Sequence, residues 1–407
     1  MKSLSIITAA EEVLKGEFFR LEEIAYHNQV KVLQSFKDKN LRDYHFSPST
    51  GYGYGDIGRD LLEEIYADIF NCEDALVREQ IVSGTHAISA CLTGLLQAGD
   101  RMISAAGSPY DTLKRVIGLG SDNYGTLSWR GVKYSEAALL KDGRPDHQAL
   151  EAALEVPARL VLIQRSIGYT LRPSLRMADI AKLVEIIRAK QPEAVIMVDN
   201  CYGEFVEKDE PGSLDIDIMA GSLIKNPGGG LAPSGGYICG KKDLIKLISY
   251  QITAPGLGKD LGPSLAGKRY LFQGIFMAPH IVLQAMKSAL LLAYVFEELG
   301  YPVYPKWNEL RGDIVQAVKL NDRQQALKFC QIVQGNSPVD NDVTLEFGDL
   351  PGYEHQVVMA AGTFVQGSSI ELSCDAPSRD PFAVFMQGGL TYEHARYVIC
   401  RLIENFL

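Results

Sequence analysis

The residue whose surroundings most favour chemistry is Lys225, within the run GSLIKNPGGG over 221–230. Small and apolar neighbours and a glycine-rich bend are unusual around a solvated surface lysine. Desolvation at such a position would lower the pKa of the amine and favour its neutral form, which attacks a carbonyl carbon to form a Schiff base. Ser222, three residues earlier, could donate to a phosphate. A solvated loop lysine is the alternative interpretation, which the residues upstream make less favourable.

Asp199 follows the apolar run 195–198, which is typical of a buried strand. In open α/β sheets, ligands bind at the carboxyl ends of the strands. A carboxylate there could pair with the pyridine nitrogen of pyridoxal 5′-phosphate (PLP) and keep the ring protonated as an electron sink. For Asp199 alone, an acid that caps a strand-to-helix turn is the more common interpretation. With Lys225 shortly downstream, the pair favours a PLP site.

Two weaker features fit the same cofactor. The turn SGTH over 83–86 precedes an amphipathic helix predicted over 87–97, and the backbone N–H groups of Gly84 and Thr85 could receive a phosphate there. Taken alone, such a turn is more often an N-cap. Tyr110 lies in the loop after the strand predicted at 101–104, where its ring could stack on the cofactor and its hydroxyl could lie near a substrate.

The elements that must position these residues alternate between short apolar runs and amphipathic segments, which indicates a mostly parallel sheet flanked by helices. Strands are predicted at 101–104, 160–164 and 195–198, and helices at 59–70, 87–97 and 177–190. After residue 280 the pattern changes to a helix over 280–299, a strand at Val303 and shorter strand-like runs. This part, joined by an amphipathic N-terminal helix over 11–35, is predicted to form a smaller α+β domain.

The composition restricts the partners and the compartment. The formal net charge of -10 and the pI of about 5.3 argue against nucleic-acid and anionic-membrane partners. The longest apolar stretch, 289–296, is too short to span a bilayer. Seven scattered cysteines without a C-x-x-C pair, and an N-terminus without a signal peptide, favour a reduced, cytoplasmic chain. The histidines show no H-E-x-x-H pairing, so no metal site is expected.

The order of these features resembles the Cys/Met-metabolism branch of fold-type-I PLP enzymes. More closely, the stretches GYGYGD (51–56), NPGGG (226–230) and QGGLTYEH (387–394) resemble the methionine γ-lyase-like "aluminium resistance" family, which is related to cystathionine β-lyase. The resemblance covers essentially the whole chain. It implies the aspartate-aminotransferase-like α/β fold, with a mostly parallel seven-stranded sheet and a smaller C-terminal α+β domain. The implied division is 1–60 for the N-terminal helix and the subunit contact, 61–279 for the PLP-binding domain and 280–407 for the small domain.

The resemblance also implies an activity, that of a PLP-dependent carbon–sulfur lyase acting on a sulfur-containing amino acid by β- or γ-elimination. In this assignment Lys225 is the Schiff-base lysine, Asp199 is the partner of the ring nitrogen, and Tyr110 is the ring-stacking and catalytic tyrosine. The phosphate is held by the backbone of Gly84 and Thr85 and by the side chain of Ser222.

Two departures from the lyase pattern concern the phosphate. Tyr52 and Tyr54 fall where the lyases carry a Tyr-x-Arg pair that reaches the phosphate of a neighbouring subunit, so the arginine is replaced by Tyr54. Ile224 stands where the lyases have a hydroxyl residue. Thr253 of a neighbouring subunit is a candidate substitute donor. The implied assembly is a homo-oligomer with shared active sites, either a dimer or a tetramer built from dimers.

A substrate carboxylate requires a cationic fork, for which Arg379 in the predicted small domain is the candidate. The alternative is a surface arginine paired with Asp375 or Asp380. Two other functions remain open from the sequence. One is a different PLP enzyme, such as an aminotransferase or an aldolase. The other is a non-catalytic PLP-binding protein in metal tolerance.

Overall fold

The computed structural model describes residues 2–120 and 124–407, and within these ranges the chain forms ten α-helices and twelve β-strands. The helices are α1 (Lys2–Asp38), α2 (Ile57–Ile69), α3 (Gly84–Leu95), α4 (Asp111–Ile117), α5 (His147–Ala153), α6 (Met177–Lys190), α7 (Lys242–Ile252), α8 (Arg269–Glu298), α9 (Arg323–Gln334) and α10 (Tyr392–Phe406). The strands are β1 (Asp74–Arg78), β2 (Arg101–Ser104), β3 (Lys133–Glu136), β4 (Leu160–Gln164), β5 (Val195–Asp199), β6 (Ile218–Ser222), β7 (Gly236–Gly240), β8 (Val303–Tyr304), β9 (Gln316–Lys319), β10 (Val357–Ala360), β11 (Ser373–Pro377) and β12 (Ala383–Gln387).

The larger sheet has the strand order β1-β7-β6-β5-β4-β2-β3. Five adjacent strands of this sheet run parallel to one another, namely β6, β5, β4, β2 and β3. Strand β7 is antiparallel to both of its neighbours, β1 and β6. Strands β4, β5 and β6 are buried along their whole length, as expected of a sheet with helices on both faces. The predicted mostly parallel seven-stranded sheet is therefore confirmed.

The smaller sheet is antiparallel, with the order β10-β11-β12-β9-β8. Helix α9 packs against β10, β11 and β12, and the N-terminal helix α1 packs along α8 and against α10. The N-terminal helix therefore contacts helices from the C-terminal part of the chain.

The predicted bounds of three strands and of helix α6 (Met177–Lys190) agree closely with the structure. Strands β2 and β4 occupy the predicted residues, and β5 extends one residue further to include Asp199. In contrast, α8 begins at Arg269 and not at His280, so the border predicted at residue 280 lies inside this helix. Pro279 lies within α8; since proline commonly ends or kinks a helix, the sequence pattern concealed the earlier start.

The register of the larger sheet brings the chemically important residues to one edge. Gln164 and Asp199 are paired at the carboxyl ends of β4 and β5, and Ser222 ends the neighbouring strand β6. Helix α3 begins directly at Gly84 because the side chain of Ser83 accepts a hydrogen bond from the backbone of His86. The SGTH turn is therefore the first turn of the helix and not a loop before it.

One described helix, α8, has the length and apolar composition that could span a membrane. However, 67% of its most apolar window is buried inside the protein. Such burial is typical of the core helix of a globular domain.

Candidate active site

A cavity of about 290 Å³ lies between the larger and the smaller sheet. Residues from both sheets line it, and they include six of the residues singled out in the sequence: Gly84, Thr85, Tyr110, Asp199, Ser222 and Lys225. The structure therefore brings the candidate cofactor residues together, although they are distributed over more than a hundred positions of the chain.

The N-terminus of α3 forms one wall of the cavity. The side chain of Ser83 accepts a hydrogen bond from the backbone N–H of His86 at the start of α3. The N–H groups of Gly84 and Thr85 belong to the same first turn, where backbone N–H groups have no partner within the helix. A Cβ atom at Gly84 would lie only 3.2 Å from both Cys201 Sγ and Ser222 Cβ. This close approach of backbone to Ser222 makes a small cradle of N–H and hydroxyl groups, which fits a phosphate.

Asp199 is a buried carboxylate at the end of β5. Burial raises its pKa, and this effect outweighs the opposing influence of Lys225 and of the hydrogen bond from the backbone of Cys201. A nearby cation stabilises the ionised form of such a buried carboxylate. The site therefore fits the protonated nitrogen of a pyridine ring.

Lys225 opens onto the same cavity, with its amine 3.6 Å from the centre of the Tyr202 ring. Burial acts to lower the pKa of Lys225, but Tyr202, Cys201 and Asp199 act in the opposite direction and the net pKa is raised. The prediction of a lowered lysine pKa was therefore wrong. The sequence showed the apolar neighbours along the chain but not the groups that the end of β5 places against the amine.

Three tyrosines close the cavity on the side of the smaller sheet. The hydroxyls of Tyr110 and Tyr353 are 2.7 Å apart, and the Tyr110 ring lies edge-on to Tyr169 with centroids 5.4 Å apart. A Cβ atom at Gly168, which has a positive φ, would lie 2.8 Å from the Tyr110 ring. Glycine is thus required for the ring to pack here. Burial raises the pKa of Tyr110, so its hydroxyl keeps its proton.

Several cavity residues were missed in the sequence. Tyr169 donates a hydrogen bond of 3.0 Å to Asp375, which also accepts one of 3.1 Å from Gln387. These contacts connect the loop after β4 to the face of the smaller sheet. Asp375 had been considered only as a partner for Arg379. Tyr202 follows Asp199 by three residues, in the sequence DNCY at 199–202, and this proximity to Asp199 was the available signal for it.

Tyr52 and Tyr54 do not line this cavity. Their side chains are 70% and 64% exposed, with ring centroids 5.5 Å apart. A role at the phosphate of a neighbouring subunit stays a prediction. The hydroxyl of Thr253 lies within hydrogen-bond distance of the carbonyls of Ser249 and Gly258 in its own chain, at 3.1 and 3.0 Å, and can donate its proton to one of them at a time. A role for Thr253 as a donor to the phosphate of a neighbouring subunit likewise stays a prediction.

Arg379 lies beside the cavity but is not among the residues that line it. Its guanidinium donates to the carbonyl of Tyr169 at 2.9 Å and lies 3.5 Å from the carboxylate of Asp111. The ion pair is therefore with Asp111, and not with Asp375 or Asp380 as the alternative interpretation assumed. A role in binding a substrate carboxylate stays a prediction.

The two sheets and the cavity between them define the PLP-dependent transferase fold of type I. A pyridoxal-5′-phosphate-dependent protein from Escherichia coli aligns with a TM-score of 0.60 over 95% of this chain and 97% of its own. At 17% identity, this likeness concerns the fold alone.

Within that class, the chain belongs to the methionine gamma-lyase family, whose model matches residues 3–407. The uncharacterized protein YnbB of Bacillus subtilis (strain 168) is 46% identical over 98% of this chain and 94% of its own length. The crystal structure of a carbon-sulfur lyase involved in aluminum resistance from Clostridium novyi NT is 43% identical. It has a TM-score of 0.95, and the alignment covers 100% of this chain and 96% of that one.

Proposed function

We propose that this protein is a PLP-dependent carbon–sulfur lyase, which releases a thiol from a sulfur-containing amino acid by β- or γ-elimination. The observation that carries the proposal is the meeting of Lys225, Asp199 and the Gly84 cradle in one cavity. The Clostridium novyi relative, described as a carbon-sulfur lyase involved in aluminum resistance, supports it. We extend to this chain both the carbon–sulfur lyase activity and the involvement in aluminum resistance.

Each part of the cofactor has a matching group in the cavity. The phosphate is assigned to the cradle, the ring nitrogen to Asp199, the ring face to Tyr110 and the covalent link to Lys225. When bound, PLP supplies an electron sink that stabilises negative charge on the substrate Cα. The cradle consists of the backbone N–H groups of Gly84 and Thr85 and the hydroxyl of Ser222.

Lys225 and Asp199 have different roles in proton transfer near the cofactor. With PLP and the substrate bound, the amine of Lys225 would be the group that removes the proton from the substrate Cα. Asp199 holds a proton on the ring nitrogen, since separation of that pair would leave a buried carboxylate without a cation.

Tyr110 is the candidate acid for the departing sulfur. Because burial raises its pKa, the hydroxyl of Tyr110 carries a proton when the sulfur departs. The partly exposed Tyr353 lies within hydrogen-bond distance and could relay a proton from solvent to Tyr110 afterwards. With the sulfur on Cβ, elimination follows removal of the Cα proton directly. With the sulfur on Cγ, a second proton must first leave Cβ.

The test is a product analysis of the PLP-loaded protein with a panel of thioether amino acids. The proposal predicts keto acid, ammonia and thiol in equal amounts without a keto-acid acceptor, and no turnover by Lys225→Ala. An aminotransferase would require the acceptor and release no thiol. Bound PLP without turnover of any member of the panel would instead favour a non-catalytic role.

A further inference from the structure

Asp375 is a charged residue of the cavity to which the chemistry above assigns no role. It lies in β11, where alternate side chains face opposite sides of the sheet. Ser373 and Asp375 face the cavity, whereas Cys374 points to Cys330 of α9, with the two sulfurs 4.0 Å apart. The carboxylate therefore lies on the face of the smaller sheet that lines the cavity.

The charge balance of the cavity is unusual for a site that receives an amino acid. Among the described residues that line it, the charged side chains are Asp199, Lys225 and Asp375. Asp199 and Lys225 are assigned to the cofactor. The part of the cavity left for the substrate side chain therefore carries one negative charge and no positive one among those residues.

The hydrogen bonds of Asp375 leave one of its oxygens available. Tyr169 and Gln387 both donate to Oδ2, at 3.0 and 3.1 Å, and these are the side-chain hydrogen bonds found for this carboxylate among residues 2–120 and 124–407. They fix its orientation. Burial raises the pKa of Asp375 to about 6, with Gln387, Tyr169 and Lys225 opposing the rise. At neutral pH the carboxylate is ionised, and a cation near Oδ1 would offset its burial.

We propose that Asp375 selects substrates by binding an ammonium group in the substrate side chain, beyond the sulfur. The preferred substrate class is then a thioether amino acid with a second, distal ammonium group. This inference rests on the proposed lyase function, and it adds the chemistry that distinguishes one thioether from another.

Two near-isosteric compounds test the inference, S-aminoethyl-L-cysteine and S-propyl-L-cysteine, which differ at the end of the chain in an ammonium and a methyl group. Loss of a charged hydrogen bond typically changes binding by about tenfold or more. We therefore expect the PLP-loaded protein to favour the aminoethyl compound by at least about tenfold in kcat/KM. Asp375→Asn, which keeps the size of the side chain and an acceptor for Tyr169, should abolish this preference by losing activity with the aminoethyl compound alone.

Two control variants complete the design. Asp342→Asn removes an exposed acid of the same part of the chain and should keep the preference. Asp375→Glu keeps the charge and should keep the direction of the preference. If the wild type shows equal kcat/KM for both compounds, or if Asp375→Asn weakens both to the same extent, the inference is wrong. The second result would mean that the carboxylate acts on Lys225 or on the fold.

Calorimetric binding of the same two compounds separates this inference from the lyase proposal. If no member of the thioether panel is turned over, the lyase proposal is contradicted, but the binding preference between the two compounds still tests Asp375. Tighter binding of the aminoethyl compound to the wild type, lost in Asp375→Asn, would support the inference. Equal binding of both compounds would overturn it.

Discussion

The amine of Lys225 lies over the ring of Tyr202, 3.6 Å from its centre, and not in an apolar pocket. An ammonium group in this position gains from the negative face of the ring and from the Asp199 carboxylate nearby. The cofactor-free protein therefore holds its nucleophile mainly in the protonated form, in contrast to the prediction from the sequence.

The first prediction concerns the rate at which the cofactor-free protein takes up PLP. The pKa of Lys225 is raised, so the neutral amine is a minor species that becomes more abundant as the pH rises. Between neutral pH and about pH 9 the rate should increase by about tenfold per pH unit. Stopped-flow absorbance would measure it. A rate that is independent of pH over this range would show that the lysine is already neutral.

The second prediction concerns Tyr110→Phe, which keeps the ring but removes the hydroxyl that is 2.7 Å from Tyr353. Loss of a general acid typically costs about 100-fold or more. We expect kcat to fall by about this factor for substrates that release an alkanethiol, which is a poor leaving group, with little change in KM. Substrates that release an arenethiol should lose much less. An equal loss for both types would contradict the assignment of Tyr110 as the acid.

The third prediction is a pH dependence of substrate preference, measured as the ratio of kcat/KM for the aminoethyl and propyl compounds. Below about pH 6 Asp375 takes up a proton and no longer attracts the ammonium group, so the ratio falls towards one; above it, the ratio reaches its full value. Effects common to both substrates cancel in the ratio. A ratio that does not vary across this range, or a step that persists in Asp375→Asn, would contradict the prediction. The other titratable groups acting on Asp375 are Tyr169, Tyr202, Tyr353, Lys225 and Cys374.

The fourth prediction concerns Arg379, whose guanidinium contacts the Tyr169 carbonyl and the Asp111 carboxylate. If Arg379 turns to bind the α-carboxylate, Arg379→Ala should raise KM for amino-acid substrates by about tenfold or more. The corresponding amine without an α-carboxylate should bind equally to both forms. Equal losses for the amino acid and the amine would show that Arg379 only ties the two sheets together.

The sequence predicted an element or a site residue correctly where the pattern for it lies within one short segment of the chain. Strands β2 and β4 were predicted at their observed bounds because each is a short apolar run, and Asp199 was found because it ends such a run. The start of α8 was missed because Pro279 interrupts the pattern.

Contacts between distant segments could not be predicted in this way. Tyr169 and Asp375 are 206 residues apart in the chain, and nothing in either local pattern indicates that they meet. The same limit explains the wrong pKa prediction for Lys225, since the groups that decide it come from the end of β5.

The assignment of Lys225 as the residue that binds PLP is tested most directly by the absorption spectrum of the purified protein with PLP, before and after borohydride reduction, followed by peptide mapping. We predict an absorption band at the violet end of the visible spectrum, and reduction should attach the cofactor irreversibly to the peptide containing Lys225. Lys225→Ala should lose this label, and Lys246→Ala, which removes an exposed lysine of α7, should keep it. A reduced cofactor on another lysine, or a protein that gains no band when PLP is added, would contradict the assignment of Lys225.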